Sequence, residues 1–137
     1  MKAVVVYENG GPEVMKIEEV PNPKPEKDQI LVNIFAVGIN PVDTYLRAGV
    51  QGYTPPLPYT PGFDAAGVVE AIGDEVEKFA AGDRVYTAGS VSGTYAEMAL
   101  CEEKHLHHLP RNTSFKQGAA LGIPYATAYR ALFDKGD

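Results

Sequence analysis

Side chains able to do chemistry gather in two turn-rich stretches of this chain. The first, Gly38-Ile39-Asn40-Pro41-Val42-Asp43-Thr44-Tyr45, offers an amide, a carboxylate and a phenol in quick succession. The second, Pro58-Tyr59-Thr60-Pro61-Gly62-Phe63-Asp64, offers another phenol and another carboxylate. Between them, Tyr53 lies in a segment rich in Pro, Gly and Tyr. Amides, carboxylates and phenols orient ligands and hold protons, and their use is in positioning. Each also has a plain structural role. Asn before Pro and Asp inside a short helix are common in turns and caps. Tyr53 can pack its own loop as readily as it can cover a flat substrate. Taken on spacing alone, Asn40 caps a helix that starts at Pro41, and Asp43 orients a neighbour rather than acting as a base.

Other groupings carry less. His105, His107 and His108 follow Cys101 and Glu103 closely. In an extended segment His105 and His107 would share a face, but Glu102-Glu103-Lys104 reads as a turn that breaks it, so a solvated edge is expected and no metal site. Gly89-Ser90-Val91-Ser92-Gly93 has Val91 where a nucleophile elbow needs serine, which argues against a hydrolase. No Gly-x-Gly-x-x-Gly and no phosphate-binding P-loop occur, so the chain lacks a dinucleotide fingerprint of its own.

The elements that must hold these residues can be read from periodicity and turn residues. Lys2–Tyr7 and Val14–Glu18 read as a hairpin broken by Asn9-Gly10-Gly11-Pro12. Gln29–Val37 alternates as a long strand whose drier face carries Ile30, Val32 and Ile34. Pro41–Ala48 reads as one short helix. Ala65–Ile72, Arg84–Thr87 and Thr94–Leu100 read as further strands. Ser114 or Thr113 caps a helix near Phe115, which Pro124 should break or kink before helical spacing resumes over Thr127–Lys135. The terminal helix carries Tyr125, Tyr129 and Phe133 and calls for a surface to pack on.

Bulk properties set the limits. With 137 residues, 45% of them hydrophobic, the chain can build one domain with a real core. A net charge of −6 gives a nucleic-acid partner little support. No apolar run is long enough for a membrane span. The start charges too quickly for a signal peptide, and the single cysteine fits a reducing cytosol. A cytoplasmic protein is expected.

Several blocks together resemble one family: Glu8-to-Met15, Gly38-to-Tyr45, Pro58-to-Gly67, Gly82-Asp83-Arg84-Val85 and Gly118-to-Leu132. They are similar to the zinc-independent quinone oxidoreductases, the zeta-crystallin-like branch of the medium-chain dehydrogenase/reductase superfamily. That likeness covers essentially the whole chain. Zinc-dependent members place Cys and His where this chain has Asn40 and Phe63, so no zinc is implied. The implied fold is mainly β with short helices: a GroES-like, partly open β-barrel over residues 1–113, then a helical bridge over 114–137 toward an absent Rossmann domain. The implied activity is that of a catalytic-domain fragment of an NADPH-dependent quinone reductase. Asn40 and Tyr45 would position nicotinamide and quinone, with Tyr45 and Thr127 touching the cofactor and Tyr53 closing the cleft. NADPH would be held mainly by the missing half, so the fragment alone should be inactive. The partner would be a small-molecule quinone, and the full-length parent a homodimer. An enoyl-thioester or enone reductase, and a stand-alone GroES-like binding module, are the alternatives.

Overall fold

The computed structural model describes residues 1–50 and 55–134. It is mostly β with three short α-helices. Strands β1 (Lys2–Val6) and β2 (Met15–Glu19) form an antiparallel hairpin, with Val4 opposite Ile17. A five-stranded antiparallel sheet follows, in the order β6-β3-β4-β5-β7. Its members are β3 (Gln29–Gly38), β4 (Asp64–Ile72), β5 (Arg84–Ala88), β6 (Met98–Glu102) and β7 (Leu106–His108). The hairpin reaches the rest through bridges Ala3–Ala96 and Val6–Tyr59, and among the described residues the sheets do not close into a complete barrel. Among the described residues no helix is long and apolar enough to cross a membrane.

The expected dry face of β3 is present. Ile30 and Val32 are buried in a cluster with Val69, Phe79, Val85, Cys101 and Leu106, and Ile34 packs against it. Leu31 on the opposite face is buried too. A register shift between Leu31 and Val32 breaks strict alternation there.

Most strand ends fall within a residue or two of those read in the sequence, and two boundaries differ by more. The strand expected to start at Thr94 starts at Met98. The N–H groups of Thr94 and Tyr95 are spent on the Pro61 carbonyl at 3.0 Å, and the Tyr95 carbonyl on Val4, so these residues tie the hairpin to the loop instead of joining the ladder. The second difference concerns the helices. Helix α2 (Phe115–Ala119) ends before Leu121, and α3 (Gly122–Tyr129) begins ahead of Pro124. Pro124 thus sits in the first turn of α3, where a missing N–H costs nothing, and the chain bends at Ala120–Leu121 instead. A π-helical turn, Arg130–Asp134, continues α3.

The Gly82-Asp83-Arg84-Val85 block has a structural purpose. Gly82 takes a left-handed φ of 92° that a side chain would strain. The Asp83 carboxylate accepts the Ala80 N–H at 3.0 Å, which closes the turn. Arg84 donates to the carbonyls of Pro110, Arg111 and Thr113 at 3.1, 3.0 and 2.7 Å. Its guanidinium also lies 4.6 Å from the Phe115 ring centre. The loop ahead of α2 is thereby fixed. Ser114 caps α2, with Gln117 reaching back to its N–H at 2.9 Å. The helix then lays Ala119 against Ala66 and Leu109.

Candidate functional site

Helix α1 (Pro41–Ala48) forms as expected, with Asn40 as its cap and Pro41 in its first position. The Asp43 carboxylate reaches back to the Asn40 N–H at 2.8 Å, satisfying a donor the helix cannot. Gly49 ends the helix at φ 69°. Asn40 and Asp43 are both buried.

Asn40 does more than cap. Its Nδ2 donates to Asp64 Oδ2 at 3.0 Å, across to the first residue of β4. Asp64 is 0% exposed. The same carboxylate accepts the Ile123 N–H at 3.1 and 2.9 Å, from the first turn of α3. Thr94 Oγ1 donates to the Asp64 carbonyl at 3.3 Å. Burial raises the Asp64 pKa. The hydrogen bonds from Asn40 and Ile123 oppose the rise and the nearby charge of Asp43 adds to it. Asp43 in turn accepts the Tyr95 hydroxyl at 2.9 Å. Desolvation, together with Asp43, pushes the Tyr95 phenol well above its ordinary range, so it stays a donor. The arrangement is a hydrogen-bonded chain, Tyr95–Asp43–Asn40–Asp64–Ile123, buried at its three central members, that joins α1, β4 and α3.

A pocket of about 670 Å³ opens beside this chain, between α1, the segment leading to β4 and the Ser90–Gly93 turn. Val5, Leu46, Pro58 and Phe63 give it apolar walls, and Asp43 and Tyr59 are its acid and phenol. Among the described residues, Asp43 Oδ1 and the Tyr59 hydroxyl are buried without a hydrogen-bond partner. Asn40, Tyr45 and Thr127 do not line it.

The other expected site residues stand apart from this network. Tyr45 is 57% exposed on α1, and Thr127 is exposed on α3. Thr127 lies one turn beyond Ile123 on the same helical face. No hydrogen bond among the described residues joins Tyr45 or Thr127 to Asn40. Tyr53 lies outside the described residues. Tyr95 was not foreseen, and its partner Asp43 is 52 positions away.

The remaining groupings have structural roles. Ser90 Oγ accepts the Gly93 N–H at 3.0 Å and Ser92 Oγ accepts the Leu100 N–H at 2.9 Å. His107 stacks on Tyr86 and His108 lies tilted against Phe79, while the Glu103–His105 segment is a 3-10 turn, so the histidines do not converge. Among the described residues no three His, Cys, Asp or Glu side chains gather as a metal set.

Comparison with known proteins agrees with this architecture. Residues 26–111 match the family model described as the alcohol dehydrogenase GroES-like domain. The chain is similar to the human quinone oxidoreductase, 53% identical over 133 residues, covering 96% of this chain and 40% of that protein. It is also similar to the chloroplastic NADPH-dependent alkenal/one oxidoreductase of Arabidopsis thaliana, 37% identical over 142 residues, covering 96% of this chain and 37% of that protein. Among solved structures it resembles the Escherichia coli quinone oxidoreductase complexed with NADPH, with a TM-score of 0.93 and 36% identity, covering 98% of this chain and 41% of that one. The chain thus spans about 40% of the length of the curated relatives it matches. With the family model lying across the sheet and α1, and the same backbone recurring in solved quinone oxidoreductases, the chain belongs to the alcohol dehydrogenase GroES-like domain family.

Proposed function

We propose that this chain is the acceptor-side half of an NADPH-dependent quinone reductase that works without zinc. The observation that carries this is the buried Asn40, its amide fixed on Asp64 beside an apolar pocket. The likeness to proteins named quinone oxidoreductase supports it. A flat, electron-poor ring suits walls made of Val5, Leu46, Pro58 and Phe63. Zinc does not suit the site: Asn40 already turns its nitrogen to Asp64, and Phe63 has no donor atom. NADPH, when bound, supplies the reducing electrons. Asn40, Tyr45 and Thr127 orient the nicotinamide end and the acceptor oxygen, and Tyr53 helps exclude water from the cleft. Residues 1–113 act as the catalytic part. Residues 114–137 form a bridge whose first helix rests on the sheet and whose exposed aromatic end meets a nucleotide-binding half. We take the parent protein to be a cytoplasmic homodimer acting on a small-molecule quinone, without nucleic-acid or membrane partners.

A second reading keeps the cofactor and changes the acceptor to an enone or alkenal, which the Arabidopsis relative supports by its name. One experiment separates the two. The chain joined to the rest of the human quinone oxidoreductase should oxidise NADPH with 1,4-benzoquinone or 9,10-phenanthrenequinone, and the chain alone should show little or no turnover. Turnover by the chain alone overturns the proposal. Turnover of the joined protein with enones but not quinones establishes the second reading instead. No turnover with either leaves a binding or structural module.

A further inference from the structure

One buried carboxylate reaches two elements with separate duties. Asp64 accepts from Asn40 Nδ2 at 3.0 Å and from the Ile123 N–H at 3.1 and 2.9 Å. We infer that Asp64 is a positioning residue: it fixes the orientation of the Asn40 amide at the start of α1, next to the pocket residue Asp43, and it ties that setting to the seat of α3. The activity arm of this inference rests on the quinone-reductase reading, while the structural arm does not.

The chemistry is restrictive. An ionised carboxylate only accepts hydrogen bonds, so Asn40 must give it Nδ2 and turn Oδ1 the other way. The Ile123 N–H belongs to the first turn of α3, where no helical carbonyl is available to it. The carboxylate takes the place of that carbonyl. Two glycines leave room for this. A Cβ at Gly122 would strike Asp64 Oδ1, and a Cβ at Gly38 would meet the Asp64 Cβ at 2.9 Å. The carboxylate is therefore caged, with 0% of the residue exposed. A tilt of α3 moves Ile123, then Asp64, then the Asn40 amide. Because α3 also carries Thr127, the acceptor side and the cofactor-facing helix are set by the same two oxygens.

The test separates positioning from bulk support. Asp64→Asn keeps the shape but offers one acceptor oxygen and an NH₂, so either Asn40 or Ile123 must face a donor. Exchanging both residues, Asn40→Asp with Asp64→Asn, reverses the first bond and lets the position-64 oxygen keep Ile123. In the 137-residue chain, ¹⁵N spectra should show the Asn40 side-chain signal moving in Asp64→Asn and also in Gly122→Ala, whose added Cβ has the Asp64 carboxylate and the Thr87 carbonyl as its nearest neighbours. Hydrogen exchange at Ile123 should speed up in both and recover in the double exchange. In the chain joined to the rest of the human quinone oxidoreductase, Asp64→Asn should lower kcat by about tenfold or more with the quinone KM unchanged. The double exchange should restore Ile123 protection and the thermal midpoint but not kcat, because a carboxylate then replaces the amide. An Asn40 signal that stays still in Gly122→Ala overturns the coupling. Unchanged kcat in Asp64→Asn of an active joined protein overturns the positioning role. If the unsubstituted joined protein fails to reduce quinones, the functional reading falls, and the ¹⁵N and exchange results still decide the coupling.

Discussion

Asp64 ionises with difficulty because burial outweighs the two hydrogen bonds it receives, and the charge on Asp43 adds to the effect. Its folded pKa therefore lies above the ordinary 3.8. The unfolded chain releases this proton first as pH rises, so the native state loses stability between the unfolded and the raised folded value. The contribution is complete below 3.8 and gone above the folded pKa. Urea unfolding of the wild type and Asp64→Asn, compared from about pH 3 to about pH 6, should show the difference turning against the wild type as pH rises. Parallel curves would contradict this. Glu102 and Glu103, which Lys104 and backbone donors hold below the ordinary range, work in the opposite direction but are common to both proteins and cancel. At this scale part of the site was legible in the sequence. Asn40 before Pro41 announces a cap, and Asp43 is spaced to reach back to it. Tyr95 gives no local sign, since its meaning comes only from the backbone bonds to Pro61 and Val4 that bring it to Asp43.

Elements whose ends are set by local chemistry were readable, and those set by distant contacts were not. Helix α1 has Pro41 at its start and Gly49 in a left-handed conformation at its end, so its bounds follow from the residues themselves. The start of β6 does not, because Thr94 and Tyr95 are claimed by Pro61 and Val4 from elsewhere in the fold. The break between α2 and α3 likewise depends on Asp64 taking the Ile123 N–H, an interaction spanning 59 positions. Pro124 marked the region but not the place. The cap of α2 permits a clean measurement. Ser114 and Gln117 satisfy each other's backbone N–H at 3.3 and 2.9 Å. Ser114→Ala should lower stability by about 1 kcal/mol, read from the urea midpoint. It should also speed amide exchange at Gln117 and Gly118. No change in either would mean that Arg84 and Phe115 hold this helix without its cap.

The molecule as a whole is a packed sheet with an exposed apolar helix beside it. Its core lies between the faces of β3, β4, β5 and β6, whereas Tyr125, Tyr129, Leu132 and Phe133 are exposed, Phe133 at 71%. Removing apolar surface there should cost this chain almost nothing. Leu132→Ser and Phe133→Ser should each shift unfolding free energy by less than about 0.5 kcal/mol, measured in urea. On the bridge role proposed above, the same changes in the chain joined to the rest of a relative should cost more. A large loss in the isolated chain would show that the bridge supports the sheet directly. The strand order has a consequence for how the molecule is made. Along Gln29–Asn33, β3 pairs with Met98–Glu102 on one side, and with β4 on the other. A ribosome delivers these partners far apart in time, so one edge of β3 stays bare, with its amides unmatched, until β6 emerges. The nascent chain is most open to mispairing with its neighbours during that interval.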